Sequence, residues 1–317
     1  MSVELVEVVR SGFREGVHRG SLVVLDSDGR VQLALGDVHS PVFPRSSNKP
    51  LQAVAMLRSG FTPADSAQLA LAAASHSGET AHVEGALRLL ADAGRTEDDL
   101  RCPADLPGDE PTRNAVLAAG GGPRRVYMNC SGKHSAMVST CAANGWSLPD
   151  YLDPAHPLQR SAFETVAELA GEAVPAVGVD GCGAPIFALS LTGLATAFAR
   201  LVTAGPATPE RRVADAVRAH PFLVSGTGRE DLLLMSAVPG LLCKAGAEGV
   251  HVGALPDGRA FAVKIDDGAA RARGPVSVGV LRHLGVPDSE ALAALADEPL
   301  LGGGVQVGSA RLLPGLL

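Results

Sequence analysis

Hydrophobic and polar positions follow two rhythms along the chain. Near each end, β-rich runs flank a tight-turn sequence. Residues 21–36, SLVVLDSDGRVQLALG, place Asp-Ser-Asp-Gly between two such runs, and residues 250–266, VHVGALPDGRAFAVKID, place Pro-Asp-Gly between two more. Both read as hairpins, because glycine supplies the positive φ that a tight turn requires. Between them apolar residues recur at three- and four-residue spacing over 50–58, 64–75, 82–94, 157–171, 186–204 and 208–219, the period of a helix with one buried face. Pro50, Pro63, Pro157 and Pro209 lie near the starts of these segments, where a missing N–H costs nothing. The pattern predicts an α+β fold, with an antiparallel sheet built from N- and C-terminal strands and a helical middle region. The Gly-rich stretches at 119–122 and 302–304 are too short for linkers, and no internal repeat is present. We expect one two-lobed unit over 1–317, with 1–45 and 225–317 mainly sheet and 46–224 mainly helical.

Composition narrows the function classes. With 46% hydrophobic and 19% charged residues the chain has enough apolar surface to fold. A net charge of −7 and the lack of any Lys/Arg cluster argue against a nucleic-acid partner. The most membrane-like run, Ile186 to Val202, is interrupted by Ser190, Thr192, Thr196 and Arg200 and falls short of the roughly 18 apolar residues of a spanning helix. It predicts a buried helix and no membrane partner. The N-terminus has acids among its apolar residues and no basic start, unlike a secretory signal. Five cysteines in such a chain point to a reducing compartment, and we expect a cytoplasmic protein.

Only four of the 27 basic residues are lysine, and each falls in or near a polar motif: Lys49, Lys133, Lys244 and Lys264. Ser46-Ser47-Asn48-Lys49 precedes Pro50 and a helical run, so a helix starting there would set Ser46 and Lys49 three apart on one face. A lysine beside a serine can accept the hydroxyl proton and create a nucleophile; otherwise the motif is a helix cap and a solvated lysine. Lys244-Ala245-Gly246, ahead of the C-terminal hairpin, reads as a Lys-x-Gly strand or as a Gly-rich turn. Ser75-His76-Ser77-Gly78-Glu79 follows an apolar run and reads as a helix end, either opening into a site or simply capped. Cys130 of NCSGKH and Cys182 of VDGCGAP, in Gly-bearing turns beside His134 and Asp180, fit a shared metal site, a nucleophilic Cys182 with His134 as base, or two buried thiols. Cys102, Cys141 and Cys243 read as structural. Gly226-Thr227-Gly228-Arg229 could hold an anion, with Arg229 binding a carboxylate.

Together these segments resemble the asparaginase II family, the rhizobial-type or class 3 L-asparaginases, whose fold is related to glutaminases and serine β-lactamases. The resemblance runs from VRSGFREGVHRGSLVVLD through PRSSNKP, ASHSGE, MNCSGKHSAM, GVDGCGAP, GTGRED and KAGAEGV to KIDDG. It implies an amidohydrolase that releases ammonia from L-asparagine with two Ser–Lys pairs and a zinc ion near the site. Carried onto this sequence, Ser46 with Lys49 and Ser75 with Lys244 form the pairs. Ser77 and Lys264 are the alternatives within the second pair. Cys130, Lys133 and Cys182 become zinc ligands. Asp180 and His134 support the metal or touch substrate. Arg229 takes the α-carboxylate, and Asp180 or Glu79 the α-ammonium. The partner is a small amino-acid amide, and a homodimer is implied.

The expected route is attack by a serine, Ser46 by preference, while its lysine accepts the proton, giving an acyl-enzyme and ammonia before water releases aspartate. Alternatives on the same scaffold are a serine acyl-hydrolase of penicillin-like or peptide substrates and a non-enzymatic zinc-binding sensor.

Overall fold

The computed structural model describes residues 1–317. The chain opens with β1 (Val3–Arg10), β2 (Phe13–Leu25) and β3 (Val31–Leu35), then α1 (Lys49–Arg58), α2 (Ser66–Ala72), α3 (Thr80–Asp92), α4 (Glu110–Ala118), α5 (Ser131–Asn144) and α6 (Pro157–Ala170). Next come β4 (Val177–Val179), β5 (Pro185–Phe187), α7 (Leu191–Thr203), α8 (Pro209–Ala219), α9 (Pro221–Val224) and α10 (Glu230–Ala237). It closes with β6 (Leu242–Gly246), β7 (Val250–Ala254), β8 (Ala260–Ile265), α11 (Arg273–His283), α12 (Glu290–Ala293), β9 (Asp297–Gly302) and β10 (Val305–Leu312). Two compact units emerge. The first contains 1–47, 189–203 and 233–317, and the second 48–188 and 204–232.

The first unit is built on an eight-stranded sheet of order β6-β7-β8-β2-β1-β10-β9, with β3 also paired to β2. Every pairing is antiparallel, including β1 with β10, which joins the two ends of the chain as the sequence suggests. Both expected hairpins form, β2 with β3 and β7 with β8. A further hairpin, β1 to β2, turns on Ser11 (φ 50°) and Gly12 (φ 80°), the two successive positive angles of a turn that matches strand twist. Ser21 to Leu25 are all buried, so this half of β2 is covered on both faces, and α7 packs on β2, β7 and β8. Each such aliphatic side chain contributes roughly 1.5–3 kcal/mol. Where β2 runs between its neighbours only glycine fits at position 20, since a Cβ there would lie 2.2 Å from the Lys264 carbonyl oxygen.

The second unit packs helices around α1, of which Lys49 to Leu57 are all buried, against α2, α5, α6 and α8. Asp65 caps α2 and Thr208 caps α8 through side-chain oxygens that accept backbone N–H bonds.

The apolar run at 186–204 is not one helix. Pro185–Phe187 pairs as a strand with Val177–Val179, and the helix starts only at Leu191, where the Ser190 hydroxyl accepts the Gly193 N–H at 2.9 Å. Helices α4, α5, α9, α10, α11 and α12 lie outside the periodic segments. No helix is long and apolar enough to cross a membrane.

Candidate active site

Lys49 opens α1, and Pro50 at the next position costs no hydrogen bond there. Its side chain is buried, and its ammonium donates to three acceptors in the second unit: Ser75 Oγ at 2.6 Å, Ala74 O at 2.7 Å and Cys130 Sγ at 3.0 Å. All three contacts suit an N–H donor. Loss of one proton would turn a lone pair toward the Ser75 hydroxyl, the arrangement of a base beside its nucleophile.

Ser75 follows α2 on a segment with no regular structure, held by backbone bonds from Ser75 N–H to Val224 O and from His76 N–H to Asn129 O. His76 bridges further, since its Nε2 meets Ser131 Oγ at 2.9 Å and its Nδ1 accepts the Gly78 N–H at 3.2 Å. Burial, aided by His82, Lys49 and Arg229, holds the His76 imidazole well below its ordinary pKa, so it is neutral. The Ser75 segment is thereby tied to the turn that carries Cys130.

Cys130 occupies the N-cap of α5. This end of the helix comes against α2 because Gly132 has no Cβ; one there would sit 2.6 Å from the Leu71 carbonyl oxygen. Gly132→Ala is therefore expected to destabilise the protein by about 1–3 kcal/mol through overpacking. A thermal melt would show this as a drop of several degrees, and an unchanged midpoint would mean that the two helices can separate freely.

Cys182 is presented on the tight β4–β5 turn, pinched by Gly183 N–H to Asp180 O and Asp180 N–H to Ala184 O, with Gly183 at φ 85°. Lys133 Nζ lies 3.3 Å from its sulfur. The neighbouring Cys130, then Lys133 and His134, hold the Cys182 thiol far below its ordinary range against the opposing effect of burial. The neighbouring Cys182 and burial push Cys130 up, and its Sγ lies 2.8 Å from Asn129 Oδ1, which can accept its hydrogen. Burial pulls Lys133 down, but the two sulfurs and Asp180 outweigh it and hold the ammonium charged. Cys102 and Cys141, by contrast, are pushed up to about 12 by burial and are inert thiols. Two buried sulfurs and an amine form a soft donor set that could hold a thiophilic cation once protons leave.

Glu79 is engaged elsewhere. Oε1 accepts from Ser77 Oγ (2.7 Å) and the Thr227 N–H (2.8 Å), and Oε2 from Thr227 Oγ1 (2.9 Å). It thus clasps the Gly226-Thr227-Gly228 loop onto the Ser77 segment, and a Cβ on Gly226 would lie 2.0 Å from Ser77 Oγ. Arg229, exposed at the end of that loop, is carried by this clasp.

The first unit holds the other two members of the expected pairs. Ser46, partly exposed, follows Arg45, a non-glycine residue at φ 54°, in the sparsely populated left-handed region. Lys244 is buried on β6 and donates to Ala245 O at 3.0 Å. Lys264, half-buried on β8, donates to the carbonyls of Glu248 and Ile265.

The model of L-asparaginase II matches residues 6–312, nearly the whole chain. The chain belongs to the L-asparaginase II family. No curated protein matches it. Among solved structures, it is similar to Mglu in its native form (16% identity, TM-score 0.45), over 86% of this chain and 66% of that one. It is also similar to a β-lactamase from Mycobacterium bovis (16% identity, TM-score 0.39; 83% and 94% covered) and a putative β-lactamase from Bacteroides dorei (15%, 0.39; 78% and 84%). The chain thus spans just under two thirds of that Mglu chain's length.

Within this family member the second unit brings Lys49, Ser75, Cys130, Lys133, His134, Asp180 and Cys182 into one connected cluster, while Glu79 and Arg229 belong to the adjoining clasp. Sequence reasoning passed over Tyr151, whose hydroxyl lies 2.7 Å from His134 Nδ1. In a chain with only two tyrosines, one set in the polar loop SLPDYLDP was the available signal.

Proposed function

We propose that this chain is an L-asparaginase, releasing ammonia from the side-chain amide of L-asparagine through an acyl-enzyme. The observation that carries the reading is the 2.6 Å contact between Lys49 Nζ and Ser75 Oγ in a member of an amide-hydrolysing family. With Lys49 neutral, Ser75 Oγ attacks the carboxamide carbon as Lys49 takes its proton. The tetrahedral adduct then collapses as Lys49 returns that proton to the departing nitrogen, and ammonia leaves. Water attacks the resulting ester with Lys49 again as base, and aspartate is freed. Cys130 and Ala74 O hold the amine in place while it faces the reacting hydroxyl. Ser46 and Lys244 enter as a second pair on the strength of their motifs alone. Arg229 is assigned the substrate α-carboxylate and Asp180 the α-ammonium.

Zinc is the cation proposed for Cys130, Lys133 and Cys182. The fit rests on a thiolate already favoured at Cys182, a second sulfur beside it and an amine 3.3 Å away. When bound, the ion supplies a fixed positive charge that orients the polar substrate. The reading includes a cytoplasmic homodimer acting on free amino-acid amides.

The test is ammonia release from asparagine and from glutamine by the purified protein, with and without chelator. Release from asparagine is expected to exceed that from glutamine, and chelator to lower it. The reverse preference would move the substrate assignment to glutamine. No release from either amide by folded, zinc-supplemented protein would overturn the amidase reading.

A further inference from the structure

Three non-glycine residues have left-handed backbone angles: Ser11 (φ 50°), Arg45 (φ 54°) and Glu248 (φ 59°). Ser11 is accounted for by the β1–β2 turn. Arg45 and Glu248 are not of the types that take this conformation readily, which are glycine, asparagine and aspartate. Such angles persist only where the surroundings enforce them. Arg45 immediately precedes Ser46, and Glu248 lies four positions beyond Lys244, so the two strained residues flank the members of the second pair. They are also joined, with Arg45 Nη1 3.5 Å from Glu248 Oε1.

The contacts around them show how the angle at Glu248 is enforced. Side chains alternate along a strand, so Lys244 and Gly246 share one face of β6. Residues 44–47 approach that face closely, since a Cβ on Gly246 would lie 2.4 Å from Pro44 O and 3.3 Å from Ser47 N. The Arg273 guanidinium donates to Gly246 O at 2.7 Å. Beyond Gly246 the chain turns through Ala247, Glu248 and Gly249 (φ 71°) into β7. The KIDDG segment grips this turn. Lys264 Nζ donates to Glu248 O at 2.6 Å and to Ile265 O at 2.5 Å, and the Ile265 N–H donates to Gly249 O at 2.9 Å. Two glycines allow the approach: a Cβ on Gly249 would lie 2.7 Å from Ile265 Cβ, and one on Gly268 2.8 Å from Glu248 Oε2.

We propose that Lys264 is a positioning residue: by holding the Glu248 carbonyl it keeps Glu248 left-handed, and the turn so fixed sets the Lys244 face of β6 against the Ser46 segment. This gives a separate role to the lysine that the sequence offers as an alternative member of the second pair. It acts through Glu248 as a donor to main-chain carbonyls and takes no proton from a serine. The proposal rests on the amidase reading for its kinetic readout but not for its geometry.

The experiment measures ammonia release from asparagine by the purified full chain, with circular dichroism to confirm folding. Lys264→Met, which keeps the side chain's length and removes its donors, is expected to lower kcat by about 10–100-fold, the scale of a displacement on the order of 1 Å in an otherwise intact site. Lys264→Arg keeps N–H donors and should stay closer to wild type, whereas arginine in place of a proton acceptor would be as damaging as methionine. The decisive variant adds Glu248→Gly to Lys264→Met. Glycine takes the left-handed angle without being held there, so the double variant should recover most of the lost turnover. A glycine at 248 could not replace a missing proton acceptor. Wild-type turnover in Lys264→Met, equal loss in the two lysine variants, or absence of rescue would overturn the proposal. If the wild-type protein releases ammonia from neither asparagine nor glutamine, the amidase reading falls and the clamp is judged on amide hydrogen exchange across 242–254, with the β1–β2 turn as internal reference. Lys264→Met must then speed exchange at the β6–β7 turn relative to that reference; an unchanged ratio would overturn the clamp independently.

Discussion

Lys49→Met is expected to lower ammonia release from asparagine by about 10²–10⁴-fold, the range lost when a positioned base is removed. Methionine fills most of the buried volume but can neither accept a proton from Ser75 nor donate to Ala74 O and Cys130. The loss should fall on kcat, because Lys49 touches the attacking hydroxyl rather than the groups assigned to bind substrate. Arginine should not restore activity, since its guanidinium keeps its proton in proteins. Ser75→Ala should be about as damaging, and the double variant little worse than either single one, as for groups that act as a unit. A steady-state assay of the wild type and these four variants, with circular dichroism to confirm folding, decides the matter. Wild-type turnover in Lys49→Met would end the proposal.

Cys182→Ala is expected to reduce bound zinc to background, measured as metal per chain after dialysis against a chelator. The loss should exceed the roughly 10–100-fold set by supporting hydrogen bonds, because a donor atom itself disappears. The Cys182 thiol is held below its ordinary range and Cys130 above it, so the alanine removes the sulfur more easily made a donor. Cys141→Ala, elsewhere on α5, should leave the metal untouched, since burial holds that thiol at about 12. Zinc uptake by the wild type should release protons, because Lys133, held charged, must lose one to offer a lone pair. One zinc per chain retained in Cys182→Ala would show that the thiol cluster is not the metal site.

Much of the fold could be read from the chain because glycine-bearing turns and helical periods are local signals. The hairpins around Asp28-Gly29 and Asp257-Gly258 announce themselves in this way. The elements that escaped have physical reasons. The sequence of α5 begins Ser-Gly-Lys-His-Ser, polar yet entirely buried, so periodicity cannot mark a face. The α11 helix contains Gly274, Pro275 and Gly279, all unfavourable in a helix interior, and is held by packing against β10, β9 and β8. Gly302 to Gly304 are not a linker fragment but the turn joining β9 to β10. For the candidate site, the residues stand out in the sequence through their motifs, whereas their mutual contacts do not. Three-residue spacing suggests Ser46 as the partner of Lys49, whereas the 2.6 Å neighbour found inside the second unit is Ser75, twenty-six positions on. Cys130 and Cys182 are far apart in sequence and gain meaning only when the β4–β5 turn meets the start of α5.

The assembly of the first unit from three separate stretches bears on how the protein is made. During synthesis the second unit can complete most of its helices early, whereas β1 has one edge without a neighbour until β10 emerges, since Val8 must pair with Ala310. Such distant pairing is intrinsically slow and leaves strand edges exposed on the ribosome. The β1–β2–β3 meander must therefore wait with an open edge, and the sheet closes only once β10 has been made.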